Sequence, residues 1–477
     1  MTLTQSASAA TGEVLVTDIH GKLHPTFVHR VARPDSAAAA AAVVRQARRE
    51  GRAVSVAGGR NSMGGQQFGA GTILIDMSVM NRIVAFDPDR GEVEAEAGIQ
   101  WPELIEALRT VQEGHPEQWG IIQKQTGADR LSLGGAVSSN VHGRGLTLRP
   151  IIGDVVSFTI AGADGTVRRC SRGENAELFR LAIGGYGLFG VILTVQLRLA
   201  RRQKIERVVK ILDVAELMPA FDSRIADGFI YGDFQFSIDP GDEDFLRHGV
   251  FSCYRPVDPS TPMPAGQRAL STDDWRSLLH LAHVDKRRAV DLYTAHYLAT
   301  SGQLYWSDTH QLAEYLDGYH VELDAKLGAT VAGSEVITEI YVPRAALPQF
   351  FADARSDFLA NDVDVVYGTV RLIERDDESF LAWARQPYAC VIFNIHTDHA
   401  PAGIARAADA FRRLIDLAIA RDGSYYLTYH RCATRVQIES SHPMFAEFLR
   451  RKRRHDPDER FQGDWYWHCR ALFADVL

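Results

Sequence analysis

Hydrophobic positions in the first 200 residues fall in short runs closed by glycine and aspartate turns, with a few stretches of helical period between them. The Ala-rich segment 37–49 predicts a helix capped by Asp35 and ended by Gly51, and 53–56 a buried strand after it. Segment 72–76 reads as a second buried strand, 83–86 and 93–97 as a hairpin, and 101–111 as a helix. A further hairpin, 155–161 with 167–170, turns at Asp164-Gly165; 177–183 is helical and 191–199 an alternating strand. From about residue 205 glycine thins and aromatics thicken. Longer amphipathic helices (215–226, 275–298, 312–327, 347–359) alternate there with strands such as 335–342 and 389–395, and 442–477 is helical and polar. The pattern predicts an α+β chain of two domains, the second an antiparallel sheet covered by helices on one face. The basic cluster Arg198, Arg201, Arg202 and Lys204 marks the boundary, giving a first domain over 1–203, a cap over 204–440 and a C-terminal segment over 441–477.

Composition adds mainly exclusions. With 477 residues, 46% of them hydrophobic, the chain is long enough for two cores. Acidic residues outnumber basic ones 60 to 52, a formal net charge of −8, so no overall positive field draws nucleic acid. The run Arg450 to Arg454 lies beside Asp456, Asp458 and Glu459 and reads as a solvated helix face. Segment 1–13 lacks a basic and an apolar region, and no stretch has the length of a membrane span, so a cytoplasmic chain is expected. Five scattered cysteines (Cys170, Cys253, Cys390, Cys432, Cys469) predict free structural thiols. His280-x-x-His283 and His396-x-x-His399 have a ligand-like spacing, but neither segment offers an evident further set of donors, and no metal is expected.

The 39 glycines matter more, because they crowd three loops. Gly185-x-Gly187-x-x-Gly190 has the letters of a dinucleotide fingerprint, yet a helix precedes it and a strand follows, the reverse of the order that places pyrophosphate on a helix N-terminus. Ala57 to Gly65 lacks the Gly-Lys-Ser/Thr ending of a phosphate-binding P-loop, but offers consecutive backbone N–H groups able to form an anion nest. With Gly134 to Gly145 the three loops suit one extended ligand.

The ordered set Val54-Ser55-Val56-Ala57-Gly58-Gly59-Arg60-Asn61-Ser62, Leu74-Ile75-Asp76, Thr126-Gly127, Ser132-Leu133-Gly134-Gly135, Val141-His142-Gly143, Ala163-Asp164-Gly165 and Gly184 to Val191 resembles the PCMH-type FAD-binding domain of the vanillyl-alcohol oxidase / p-cresol methylhydroxylase superfamily. Within it the likeness is to the decaprenylphosphoryl-ribose oxidase and alditol/aldonolactone oxidase branch. Over about 25–200, the resemblance implies FAD held by Ala57, Gly58, Gly59, Arg60, Asn61 and Ser62 at the pyrophosphate, by Thr126, Gly127, Ser132, Gly134, Gly135, Ser138 and His142 along the ribityl chain and ring, and by Gly187 and Val191 on the adenine side. Asn61 stands where many relatives carry a flavin-linked histidine. An amide is no comparable nucleophile, so the expectation is non-covalent FAD.

The resemblance also implies alcohol oxidation: hydride leaves a CH–OH carbon for flavin N5 while a nearby group handles the hydroxyl proton. His142 is the first candidate for that group. Where the ribose-oxidase branch has a lysine this chain has Tyr429, beside His430, and Arg371 lies in a strand-like segment; Asn394 and His396 are candidate substrate contacts. The expected substrate is a polyol, sugar or sugar-like molecule, with a phenolic or polyketide-type alcohol as the alternative. Val141 precedes the His-Gly pair at a place that governs dioxygen access in aldonolactone relatives. Its branched side chain implies a slow oxidase, or a dehydrogenase with another electron acceptor.

Overall fold

A computed structural model describes residues 12–313, 316 and 318–477. Three parallel strands, in the order Arg30–Ala32, Ile73–Asp76, Val54–Ala57, form a small sheet. Beside it is an antiparallel sheet in the order Val167–Ser171, Val155–Ala161, Val191–Arg198, Glu92–Glu96, Ile83–Asp87. Helix Ala37–Arg49 fills the space between them, packing Ala40, Ala41, Val44 and Ala47 with Ile73 and Ile75 of one sheet and Ala161, Val191 and Leu193 of the other. The small sheet gains a late contribution: Phe461 lies parallel to Val54, with Val54 N–H donating to Arg460 O and Gln462 N–H to Val54 O.

The largest sheet has eight antiparallel strands and lies wholly beyond residue 203. Its middle is made by Tyr231–Phe236, Val365–Ile373, Tyr388–Asp398 and Gly333–Pro343. Side chains alternate across the sheet. Val336, Ile340, Val391, Phe393 and Ile395 face helices Leu217–Ala226, Leu347–Ala360 and Pro401–Ile419, which cover that side with a continuous apolar core. The opposite face carries Glu335, Ile337, Glu339 and Tyr341 on one strand, against His396, Asn394, Ile392 and Cys390 on the next. Helices Thr272–Val284 and Lys286–Ala299 arch over this face without filling it.

Several boundaries differ from the sequence reading. Ser36, not Asp35, caps the first helix, its Oγ accepting from Ala39 N–H. Leu133–Ser139 is a helix within a glycine-dense stretch read as loop. A Cβ at Gly134 would stand 2.8 Å from Ala97 Cβ, so this glycine serves close packing, which overrides its poor helix propensity. The segment read as one helix over 275–298 breaks at Asp285, whose carboxylate caps the second helix at Arg288 N–H. Of 312–327, only Tyr319–Leu327 is helical, and 314, 315 and 317 lie outside the described residues. Lys452, read as part of a solvated basic face, is fully buried and ion-paired with Asp456, with its ammonium 5.6 Å from the centre of the Tyr466 ring. All five cysteines are free thiols, four of them buried. Among the described residues no helix is long and apolar enough to cross a membrane.

Candidate active site

A narrow slot opens where strand Val54–Ala57 ends. Its walls are Ala57, Gly58, Gly59, Arg60, Asn61 and Ser62 from the first loop, Ser132, Gly134, Gly135 and Ser138 around the short helix Leu133–Ser139, and Tyr186, Gly187, Gly190 and Ile192 from the third glycine cluster. The first loop hugs its neighbour: a Cβ at Gly58 would fall 1.9 Å from Ser132 Oγ, and one at Gly59 2.0 Å from Arg130 O. Glycine is therefore required there by loop-to-loop contact. Among the described residues the amides of Gly58, Gly59, Arg60, Asn61 and Ser62 find no acceptor, and the buried Oε1 of Gln67, also on the slot wall, has no partner. Unspent donors in a row with one orphaned acceptor suit a long ligand bearing both anionic and N–H groups.

Asn61, Ser62, Leu131 and Ser139 line this slot and also a second, far larger cavity of about 970 Å³. The two spaces meet at those four residues. Thr126 and Gly127 stand on the cavity side of the junction, and among the described residues Thr126 Oγ1 and Gln125 Oε1 have no partners. The cavity runs along the open face of the eight-stranded sheet, past Arg371, Asn394 and Tyr429, to the helices at 272–299. Arg371 is 3% exposed, and its Nε and Nη1 have no hydrogen-bond partner among the described residues. A buried guanidinium with two unused donors on a cavity wall is a site for a ligand oxygen.

His142 stands elsewhere. It is fully buried and absent from the walls of both spaces. Its Nε2 meets Glu339 Oε1 at 2.6 Å and its Nδ1 meets Gly143 O at 3.0 Å. Both ring nitrogens are engaged, which leaves none for a substrate or cofactor. Glu339, also fully buried, is a hub: it accepts from Tyr429 Oη at 2.9 Å and from Tyr341 Oη, and Cys390 Sγ lies 3.6 Å from His142 Nε2. Burial pushes the Glu339 carboxyl up, but His142, Tyr341 and Arg371 outweigh it and hold the group below its ordinary range. Burial and the Glu339 charge together push the Tyr429 and Tyr341 phenols well above theirs, so both stay protonated.

Other candidates also part company. His430 turns away from the cavity to pack on Gly21 and His24, and burial pushes its imidazole down to about 3. Val191 is buried between the two N-terminal sheets, and its neighbours Gly190 and Ile192 take the slot wall instead. His396 joins a cluster at the far end of the sheet face, while Asn394, two residues away, lines the cavity. Val141 lines the cavity beside the junction. Sequence reasoning missed Glu339, Gln67 and Tyr186. The signal for Glu339 was available: a carboxylate inside the mostly apolar run Val336 to Val342, where Thr338 is the other aliphatic polar residue, is costly to bury unless paired.

Residues 28–171 match the family described as FAD binding domain. The chain is 32% identical over 169 residues to L-gulonolactone oxidase of Mus musculus, covering 35% of this chain and 36% of that protein. It is 30% identical over 175 residues to decaprenylphosphoryl-beta-D-ribose oxidase of Mycolicibacterium smegmatis, 36% of each. A match at 27% identity over 134 residues to the mitochondrial L-galactono-1,4-lactone dehydrogenase of Brassica oleracea covers 28% of this chain and 21% of that protein. The aligned part spans between a fifth and two fifths of these relatives' own length.

Proposed function

We propose, from the premise that this chain belongs through residues 28–171 to the PCMH-type FAD-binding oxidoreductases, that it oxidises a CH–OH group of a polyol, sugar or sugar-like molecule such as an aldonolactone. The observation that carries this reading is the junction of slot and cavity at Asn61, Ser62, Leu131 and Ser139, which brings a cofactor lying in the slot to the wall of a substrate-sized space. The amides of 58–62 would hold the pyrophosphate, Ser132 to Ser138 the middle of the cofactor, and Tyr186 with Gly187 its adenine end. FAD supplies the two-electron acceptor for the hydride leaving the carbinol carbon.

The chain's own part is to position and polarise. Arg371 directs its two unused donors at the substrate oxygen and stabilises negative charge developing there. Tyr429 donates its hydroxyl hydrogen bond to Glu339, which leaves its oxygen lone pairs to accept from the substrate hydroxyl, and as the phenol takes up that proton its own can pass to the carboxylate. His142 acts one step back, fixing Glu339. In this reading 1–203 with 441–477 form the FAD-binding unit and 204–440 the cap. The names of the relatives favour sugar-type alcohols over phenolic ones.

The test is anaerobic. The purified yellow protein is mixed with a panel of aldonolactones, alditols, aldoses and aromatic alcohols, and flavin bleaching is followed. Bleaching by a sugar-type alcohol supports the proposal; a colourless protein, or bleaching by aromatic alcohols alone, refutes it. Acid precipitation should release the colour to the supernatant, since Asn61 cannot form the covalent link. Val141→Gly should speed reoxidation of the reduced enzyme by air.

A further inference from the structure

The far end of the open sheet face holds a second group of histidines. Glu335 on strand Gly333–Pro343 lies directly opposite His396 on strand Tyr388–Asp398. His283, in the last turn of helix Thr272–Val284, comes down onto the pair, its ring 4.8 Å from that of His396 in a T-shaped arrangement. One ligand atom from each of the three lies within 4.8 Å of the other two. His320, in the first turn of helix Tyr319–Leu327, places Nε2 3.3 Å from Glu335 Oε2.

The electron pairs in this cluster do not balance. His283 Nδ1 faces the Leu279 carbonyl at 2.8 Å, so Nδ1–H is the donor there and, in the neutral ring, Nε2 carries the lone pair. His283 Nε2 stands 3.7 Å from Glu335 Oε1, with both side chains at most 6% exposed. This is too long for an N–H···O bond. His283 Nε2, Glu335 Oε1, His396 Nδ1 and His320 Nδ1 are all buried without a hydrogen-bond partner among the described residues, while Glu335 Oε2 accepts from Tyr319 Oη. Donors bound to one zinc ion at about 2.0–2.2 Å in a tetrahedron stand roughly 3.3–3.5 Å apart. A carbonyl holding the other nitrogen of a ligating histidine is the usual second contact of such a site.

We propose that His283, Glu335 and His396 bind a divalent first-row metal ion, zinc in the first instance, with a water molecule as the fourth donor. The imidazole and carboxylate donors suit that class. The sequence spacing concealed the site, because each His-x-x-His pair contributes one ligand and the pairing runs across elements. Glu335 and Glu339 are four residues apart on one strand, roughly 13 Å at about 3.3 Å per residue, so the ion stands far from the junction of slot and cavity. Its work is to clamp helix Thr272–Val284 onto the sheet and close the cavity's distal end, where His320 and Glu335 form part of the wall.

The test uses the flavin-loaded enzyme, expressed with added zinc, desalted and measured by elemental analysis. The expected content is about one zinc per chain, falling at least tenfold in Glu335→Gln and His396→Gln and unchanged in His280→Gln, the other member of the first pair. Chelator-treated wild type titrated with Co2+ should show the visible d–d bands of a four-coordinate site, saturating at one equivalent, and Zn2+ should raise its thermal midpoint as a ligand of the native state does. Absence of stoichiometric zinc together with absence of those bands overturns the proposal, and so does equal metal loss in His280→Gln. The cobalt titration needs no variant, so a variant that fails to fold does not protect the idea.

Discussion

Glu335 and Glu339 share one face of one strand, and each meets histidine in a buried setting, yet the two clusters are built in opposite ways. Around Glu339 the donors and acceptors match: His142 at 2.6 Å, Tyr429 at 2.9 Å and Tyr341 satisfy the carboxylate, and none of these side chains has an orphaned polar atom among the described residues. Around Glu335, Oε2 accepts from Tyr319 Oη, but Glu335 Oε1 and one ring nitrogen each of His283, His396 and His320 are buried with no hydrogen-bond partner among the described residues. A matched cluster is finished by the chain alone and rigidifies what it touches. An unmatched one is unfinished without something from outside. The same residue types therefore fix the substrate side of the sheet at one end and call for an ion at the other.

The largest effect that would sharpen this contrast is on stability. Glu339→Ala strips a buried histidine of its carboxylate and should cost about 3–5 kcal/mol of unfolding free energy in urea titrations. Glu335→Gln, compared in chelator-treated protein, should cost less, about 1 kcal/mol, because the amide oxygen can still accept from Tyr319 Oη while Oε1 loses no hydrogen bond. Equal losses in the two variants would erase the distinction. Next, Arg371→Gln should lower kcat/KM about 10²-fold, the usual loss when a donor to a developing oxyanion is removed, with flavin content unchanged. Retained activity would mean that Arg371 does not face the substrate.

Acid should also separate the clusters. Since Glu339 is held below its ordinary carboxylate value, its contribution is fully present above pH 4.5 and is lost as pH falls through the lowered native value. Wild type should therefore lose more stability between pH 5 and pH 3 than Glu339→Gln, as measured by urea midpoints; parallel profiles would contradict the hub assignment. The smallest expected effect is that of Tyr429→Phe, which removes one of Glu339's donors and should cost about 1 kcal/mol of stability while slowing turnover more than it weakens substrate binding.

Local pattern carried the N-terminal part well. Helix Trp101–Val111 and the two hairpins stand where hydrophobic period and turn residues put them, and the glycine loops named from sequence line one slot. Errors came where tertiary contact overrode local preference, as at Gly134, which is helical because Ala97 leaves no room for a side chain. The site was legible where the backbone is the binding group, and less so where side chains from distant strands converge. Glu339 and His142 are 197 residues apart, and no spacing rule connects them. His430 failed for a simpler reason: it follows a turn at residues 427–428, after the strand Ser424–Tyr425 has ended, and packs beside Gly21 and His24 while Tyr429 lines the cavity.

The pairing of Val54 with Phe461 bears on how the protein is born. The strand that leads into the amide row at 58–62 has Ile73–Asp76 on one side and residues 460–462 on the other, so its outer edge stays open until more than four hundred further residues have left the ribosome. The nascent chain must carry an unpaired strand edge through most of its synthesis. A chain cut at residue 459 would therefore expose an unpaired strand edge at Val54 and gain a tendency to aggregate.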